Sequence, residues 1–260
     1  MTLIKAELLK LRTTRLWWVM LAVTIAYVLL QLGLTIGFAG QSGGPNGQPI
    51  FPGRDTVPFQ ELMWGLGASG ALFPMILGVV MMTAEYRYQT ITTTFLTTPR
   101  RERVVMAKLG AGVVVGLAFG LVVLALTAVA VAVSVPLSHG ELVLSAKILR
   151  IAVGVLAVLV LYTLFGVGLG ALIKNQLGAI VAAVVWVFIV EGLVNAIPAL
   201  RPVGKWTPAG AGGAVTDSGV DLGLGTDYLL PAWAGAVVLL GYAVLFSAVA
   251  SATTIRRDIT

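Results

Sequence analysis

The chain has 260 residues, 58% of them hydrophobic and only 11% charged, with a mean hydropathy of +0.98. Soluble domains carry about 25% charged residues, so the bilayer is the expected solvent and a disordered chain is excluded. The absence of cysteine excludes disulfides, thiol catalysis and thiolate metal sites, and a lone histidine excludes a histidine-based metal cluster.

The net charge of +6 does not point to nucleic acid. Lys and Arg stand in short clusters between apolar runs, the pattern that orients a membrane protein. The first cluster, Lys5, Lys10, Arg12 and Arg15, precedes an apolar run, Leu16–Phe38, of full spanning length. With no small-residue cleavage site behind that run, the N-terminus does not read as a cleaved signal peptide. As helix, the 23 residues of this run rise about 34 Å, enough for a hydrocarbon core of roughly 30 Å.

Five comparable runs follow, at 62–84, 109–135, 151–173, 175–197 and 229–252. They are too long and too uniformly apolar for barrel strands. The expected fold is an all-α membrane protein, a single transmembrane domain over 1–260 with six spanning helices. Six crossings put both termini on one face. That face collects twelve of the seventeen Lys and Arg residues, and the other face has five. The richer face, with both termini, is expected to be cytoplasmic.

The loops differ in character. Gly40–Phe59 is rich in Gly and Pro and reads as an irregular outer loop. Between spans two and three, Glu85 to Arg103 is too polar to span and too aromatic for a plain linker. Thr98 and Pro99 read there as an N-cap and first helical residue for the segment entering span three. That leaves Tyr86–Thr97 as a short element at the membrane face, with Tyr88, Ile91 and Phe95 along one side. It is either an interfacial helix or a docking element for a cytoplasmic partner, whose surface would help a threonine-rich segment fold. His139 lies in a short outer loop with Ser138 and Glu141 and reads as a solvated side chain. Arg201–Tyr228 is long and Gly-rich yet moderately apolar, as expected of a segment that dips partway into the membrane.

Within the spans, Gly33 and Gly37, Gly112, Gly116 and Gly120, and Gly166 and Gly170 recur at four-residue spacing, which lines a helix face for close packing. This packing lies within the chain or along a dimer seam. Glu191, with Asn195 near the end of the same span, is the obvious intramembrane acid; it serves either structure and gating or direct substrate or proton binding. No phosphate-cradling loop is present, since Gly204-Lys205-Trp206 lacks the Ser/Thr and the preceding glycine. No Gly-x-Ser-x-Gly elbow or HExxH appears either. Enzymatic chemistry on this chain is not expected.

The residues resemble the permease subunits of type-2 ABC transporters. The resemblance is carried by Glu85-Tyr86-Arg87 with Thr90, then Leu96-x-x-Pro99-Arg100-Arg101-x-Arg103, then Lys108 opening span three. A basic start, Ile4-Lys5-Ala6-Glu7-Leu8-Leu9-Lys10, and a tail with Arg256-Arg257-Asp258 support it. Gln89 departs from the family pattern, which has glycine before the threonine. The resemblance implies a permease dimer in the cell membrane seated on separately encoded ATPase subunits, which bind the ATP and Mg. It implies that the N-terminal stretch is an interfacial elbow helix, that 86–97 is the cytoplasmic coupling helix, and that 201–228 is an external re-entrant hairpin. The residues facing the ATPase would be Glu85, Tyr86, Arg87, Tyr88, Thr90, Ile91, Thr94, Phe95, Arg100 and Arg101. The implied function is export of a hydrophobic or amphipathic compound. The competing readings are a secondary transporter, for which Glu191 is the main support, and a membrane anchoring or immunity protein, which leaves the docking-type loop unexplained.

Overall fold

The structure, a computed structural model, describes residues 2–43, 49–88, 101–173, 175–216 and 229–253. Among them are helices and two isolated β-bridges, with no strand. Six helices are long and apolar enough to cross a membrane: Leu16–Phe38, Val57–Arg87, Arg103–Ser138, Ala146–Leu172, Gln176–Val194 and Ala232–Ala250. They are numbered here as the first to sixth spans.

A shorter helix, Thr2–Thr13, precedes the first span. Lys10 and Arg12 in its last turn suit the negative end of the helix dipole. Its final carbonyls are taken up locally, Thr13 Oγ1 donating to Lys10 O and Thr14 Oγ1 to Leu11 O at 2.8 and 2.7 Å. Ile4, Leu8 and Leu11 turn inward against the core, and the helix lies along the start of the third span.

The second span begins five residues earlier than its apolar run, at Val57. Thr56 caps it by accepting from Phe59 N–H, and Pro58 sits in the first turn, where a missing N–H costs nothing. The span is also broken: Val57–Leu66 and Leu72–Arg87 are α-helical, and Gly67–Ala71 between them is a 3₁₀ turn. Glycine is needed at this narrowing, because a Cβ on Gly67 would lie 2.9 Å from Val123 and 3.0 Å from Val155.

The third helix runs Arg101–Ser134, 34 residues and about 51 Å, so it extends well past the hydrocarbon core. At its far end the chain turns through His139, exposed and in the left-handed region at φ 59°. Gln60, buried in the second span, pins the loop beyond that turn: it donates to Glu141 O and accepts from Val143 N–H. Ser145 then caps the fourth span.

The spans are not equivalent. The apolar windows of the second and fourth are 67% and 56% buried, and no other exceeds 33%. These two form the centre, with their backbones in direct contact. A Cβ on Gly166 or Gly170 would run into the carbonyl of Met75 or Val79, and one on Gly78 into that of Thr163. Gly116 and Gly120 of the third span sit against Val160 and Leu156 of the fourth, and Gly112 makes ordinary contact there. Gly33 and Gly37 meet nothing within 4 Å among the described residues; their helix touches the core through Val28 and Leu32 instead. At one end of the bundle Met82, Val105, Ala171 and Ala250 cluster, with Tyr86 and Leu109 against them. The end of the second span, the start of the third and the ends of the fourth and sixth therefore share one face.

Candidate functional site at the basic face

Four charged side chains meet where the N-terminal helix crosses that face. Glu7 and Lys10 stand one helical turn apart, Glu85 lies at the end of the second span, and Lys108 opens the apolar part of the third. Lys108 Nζ is 2.6 Å from Glu7 Oε2, 2.9 Å from Glu85 Oε1 and 3.0 Å from Met81 O. All three ammonium hydrogens thus have an acceptor, as a lysine only 1% exposed requires. Lys10 Nζ closes the ring from the solvent side, 2.7 Å from Glu7 Oε1 and 2.9 Å from Glu85 Oε1. Burial pulls the Lys10 pKa down, but its bonds to Glu7 and Glu85 prevail and raise it above the ordinary lysine value. Its ammonium therefore stays charged through the neutral range. Two cations and two anions balance, and the cluster ties three separate helices at one point.

The residues expected to face a partner fall into three groups. Glu85 is turned inward and held in this cluster. Tyr86 is half-buried against the apolar cluster at the span ends. Arg87 and Tyr88 are exposed, with the guanidinium 5.8 Å from the Tyr88 ring centroid. Thr90, Ile91, Thr94, Phe95 and Arg100, with the Thr98–Pro99 cap, lie outside the described residues, as does the Arg101 side chain. From the sequence, Lys10 and Lys108 read as orienting charges and as part of the family resemblance, and Glu7 was not read as their acceptor. Two signals were available: the Glu7-x-x-Lys10 spacing, and the opposite charges of Glu85 and Lys108 bracketing one loop.

Glu191 occupies a second polar site, within the membrane. The fifth span is α-helical over Gln176–Val185, widens to a π-helical turn over Trp186–Val190, and resumes at Glu191–Ala196. The five-residue spacing brings Trp186 Nε1 within 2.9 Å of Glu191 Oε1. The other oxygen accepts from Ala209 N–H at 2.7 Å. Ala209 is in the first turn of a nine-residue helix, Pro208–Thr216, too short to cross a membrane. That helix lies between the fourth and sixth spans, Val215 O against Gly154 and Ala211 O against Gly235. Tyr242 of the sixth span donates to Trp206 O at 3.0 Å just before it. Glu191 is 2% exposed and uses both oxygens, so its carboxylate is matched to indole and helix N-terminus. The Asn195 side chain lies outside the described residues.

Six spans around a glycine-packed centre, with an ion-pair cluster at one end, define a multi-pass membrane protein. The sequence matches the family described as ABC-2 family transporter protein over residues 3–190, and the chain belongs to that family. It is a permease subunit, the membrane-crossing part of an ABC transporter, and not itself a catalytic enzyme; the family implies an ATP-binding partner. A search of the curated proteins finds no match.

Proposed function

We propose that the chain is the permease of an ATP-driven exporter, carrying a hydrophobic or amphipathic compound. In this reading it works as a dimer seated on separate ATPase subunits, in the cell membrane, with both termini in the cytoplasm. The segment 86–97 is the coupling helix that docks on the ATPase, Thr2–Thr13 the elbow helix, and 201–228 the external re-entrant hairpin.

The observation that carries this reading is the Glu7–Lys10–Glu85–Lys108 cluster. It lies directly behind Arg87 and Tyr88, where the second span delivers the chain to the proposed docking segment. A load taken up there reaches the second span, the third span and the N-terminal helix together, because one set of ion pairs holds all three. Apolar spans lined largely by Val, Leu and Ala favour an apolar or amphipathic cargo over a charged one.

The test is co-expression with the ATP-binding subunit, reconstitution into vesicles, and measurement of ATP-dependent movement of lipophilic dyes. ATP added on the ATPase side should drive dye away from that side. Movement toward the ATPase side would replace export by import. Dye transport by the permease without its partner, driven by an ion gradient, would replace the whole reading by a secondary transporter.

A further inference from the structure

The basic face carries a cavity of about 710 Å³ between the N-terminal helix, the first turn of the first span and the end of the second. This size falls in the roughly 300–1,000 Å³ range of small-molecule sites. The floor is apolar, with Leu16, Val80 and Ala84 on it. Four cations and two carboxylates border it, Lys10, Arg15, Arg87 and Lys108 against Glu7 and Glu85. The two lysines are already matched to the two carboxylates. Among the described residues, the excess of two positive charges therefore resides on Arg15 and Arg87, both exposed.

These arginines also mark a depth. Arg15 immediately precedes the first span and Arg87 is the last helical residue of the second, which puts both at headgroup level with the apolar floor on the hydrocarbon side. One more group faces this space. Gln176, at the start of the fifth span, lines the cavity, and its Oε1 is buried with no hydrogen-bond partner among the described residues. Paired carboxamide oxygens are the rule in buried sites, and among the described residues none donates to this acceptor.

From these features we infer that the cavity binds one anionic phospholipid whose headgroup carries a hydroxyl. The phosphate takes charge-assisted bonds from Arg15 and Arg87. The headgroup hydroxyl donates to Gln176 Oε1, and an acyl chain lies along Leu16, Val80 and Ala84. Phosphatidylglycerol has this chemistry. The site concerns neither the transported compound nor the direction of transport, and it stands if the exporter reading fails.

The test uses the full chain, purified in detergent and stripped of lipid, then titrated with dioleoyl phosphatidylglycerol, phosphatidic acid or phosphatidylcholine. Bound lipid is read by native mass spectrometry and Tm by tryptophan fluorescence. Phosphatidylglycerol should be retained and raise Tm most, phosphatidic acid less, and phosphatidylcholine least. Arg15→Gln/Arg87→Gln should weaken phosphatidylglycerol retention about tenfold or more, and Gln176→Leu should erase its advantage over phosphatidic acid. Ala84→Phe fills the floor without touching a charge and should also abolish retention, which keeps the test decisive if the arginine variant does not fold. Equal retention of phosphatidylcholine, or unchanged retention in Ala84→Phe, would overturn the proposal. So would a Tm rise of the same size with inorganic phosphate alone, which would make the site one for free phosphate. Retention untouched by the arginine change, with loss of ATPase co-purification instead, would assign the cavity to the partner protein.

Discussion

Lys108 and Glu7 are 101 residues apart in sequence and 2.6 Å apart in space, and the lysine is almost wholly withdrawn from solvent. A buried pair of this kind is weak evidence of net stabilisation, yet removing one partner is costly because the other charge stays behind. Lys108→Met should therefore lower stability by about 3–5 kcal/mol, with Lys10 left as the sole cation for two buried carboxylates. Glu7→Gln added to Lys108→Met should recover part of the loss. The check is Tm of the purified chain; a single variant as stable as wild type, or a double variant worse than the single, would show that the cluster is not coupled.

The glycine contacts separate two kinds of position. Gly166→Ala sets a Cβ into the Met75 carbonyl and should cost about 1–3 kcal/mol through overpacking. Gly33→Ala meets nothing among the described residues and should be neutral, or stabilising by about 0.5–1 kcal/mol from helix propensity. Melting curves of the two variants side by side decide it.

For Glu191, replacement by Gln leaves one acceptor oxygen for two donors, Trp186 Nε1–H and Ala209 N–H. Expression should be near normal, but helix Pro208–Thr216 should be held less firmly. Because the chain has no cysteine, Val215→Cys is a clean reporter, and in the Glu191→Gln background it should react several-fold faster with a maleimide. If Glu191→Gln instead changed which compounds are carried, at normal expression and with Val215→Cys still protected, the carboxylate would belong to the transport pathway.

Orientation is open to the same chemistry. Ser42→Cys should be labelled by an impermeant reagent in intact cells, and Arg12→Cys only after the membrane is opened; both positions are exposed. The reverse pattern would invert the topology.

Docking on the ATPase is tested at the exposed aromatic. Tyr88 is 67% exposed at the end of the second span, and truncating an interface anchor typically costs about 2 kcal/mol or more. Tyr88→Ala/Phe95→Ala should reduce co-purification of the ATPase about thirtyfold or uncouple hydrolysis from transport, with membrane insertion intact. Normal complex yield and normal transport would return the segment to a purely lipid-facing role.

The six spans were legible because a bilayer demands about twenty apolar residues at a stretch, and charge interrupts every shorter run. What escaped was local backbone chemistry. Val57–Phe59 read as loop because Pro58 resembles a turn residue, although proline is at home in a first helical turn. The π-helical turn before Glu191 left no mark in a uniformly apolar string. The Ala209 partner of Glu191 and the Glu7 partner of Lys108 were beyond reach for another reason. Ala209 N–H lies 18 residues on, and Glu7 is a whole two-span excursion away; nothing local selects either one.

The backbone seam between the second and fourth spans also decides how this protein is able to deform. With the Met75 and Val79 carbonyls seated against Gly166 and Gly170, and that of Thr163 against Gly78, the two helices mesh like gear teeth. Sliding one along the other would drive each carbonyl from a glycine notch into a neighbouring side chain, so small shears are blocked. If the segment after Arg87 docks as proposed, a stroke entering there would displace both as one piece, and the compliance of the molecule is left to the lightly attached first and fifth spans.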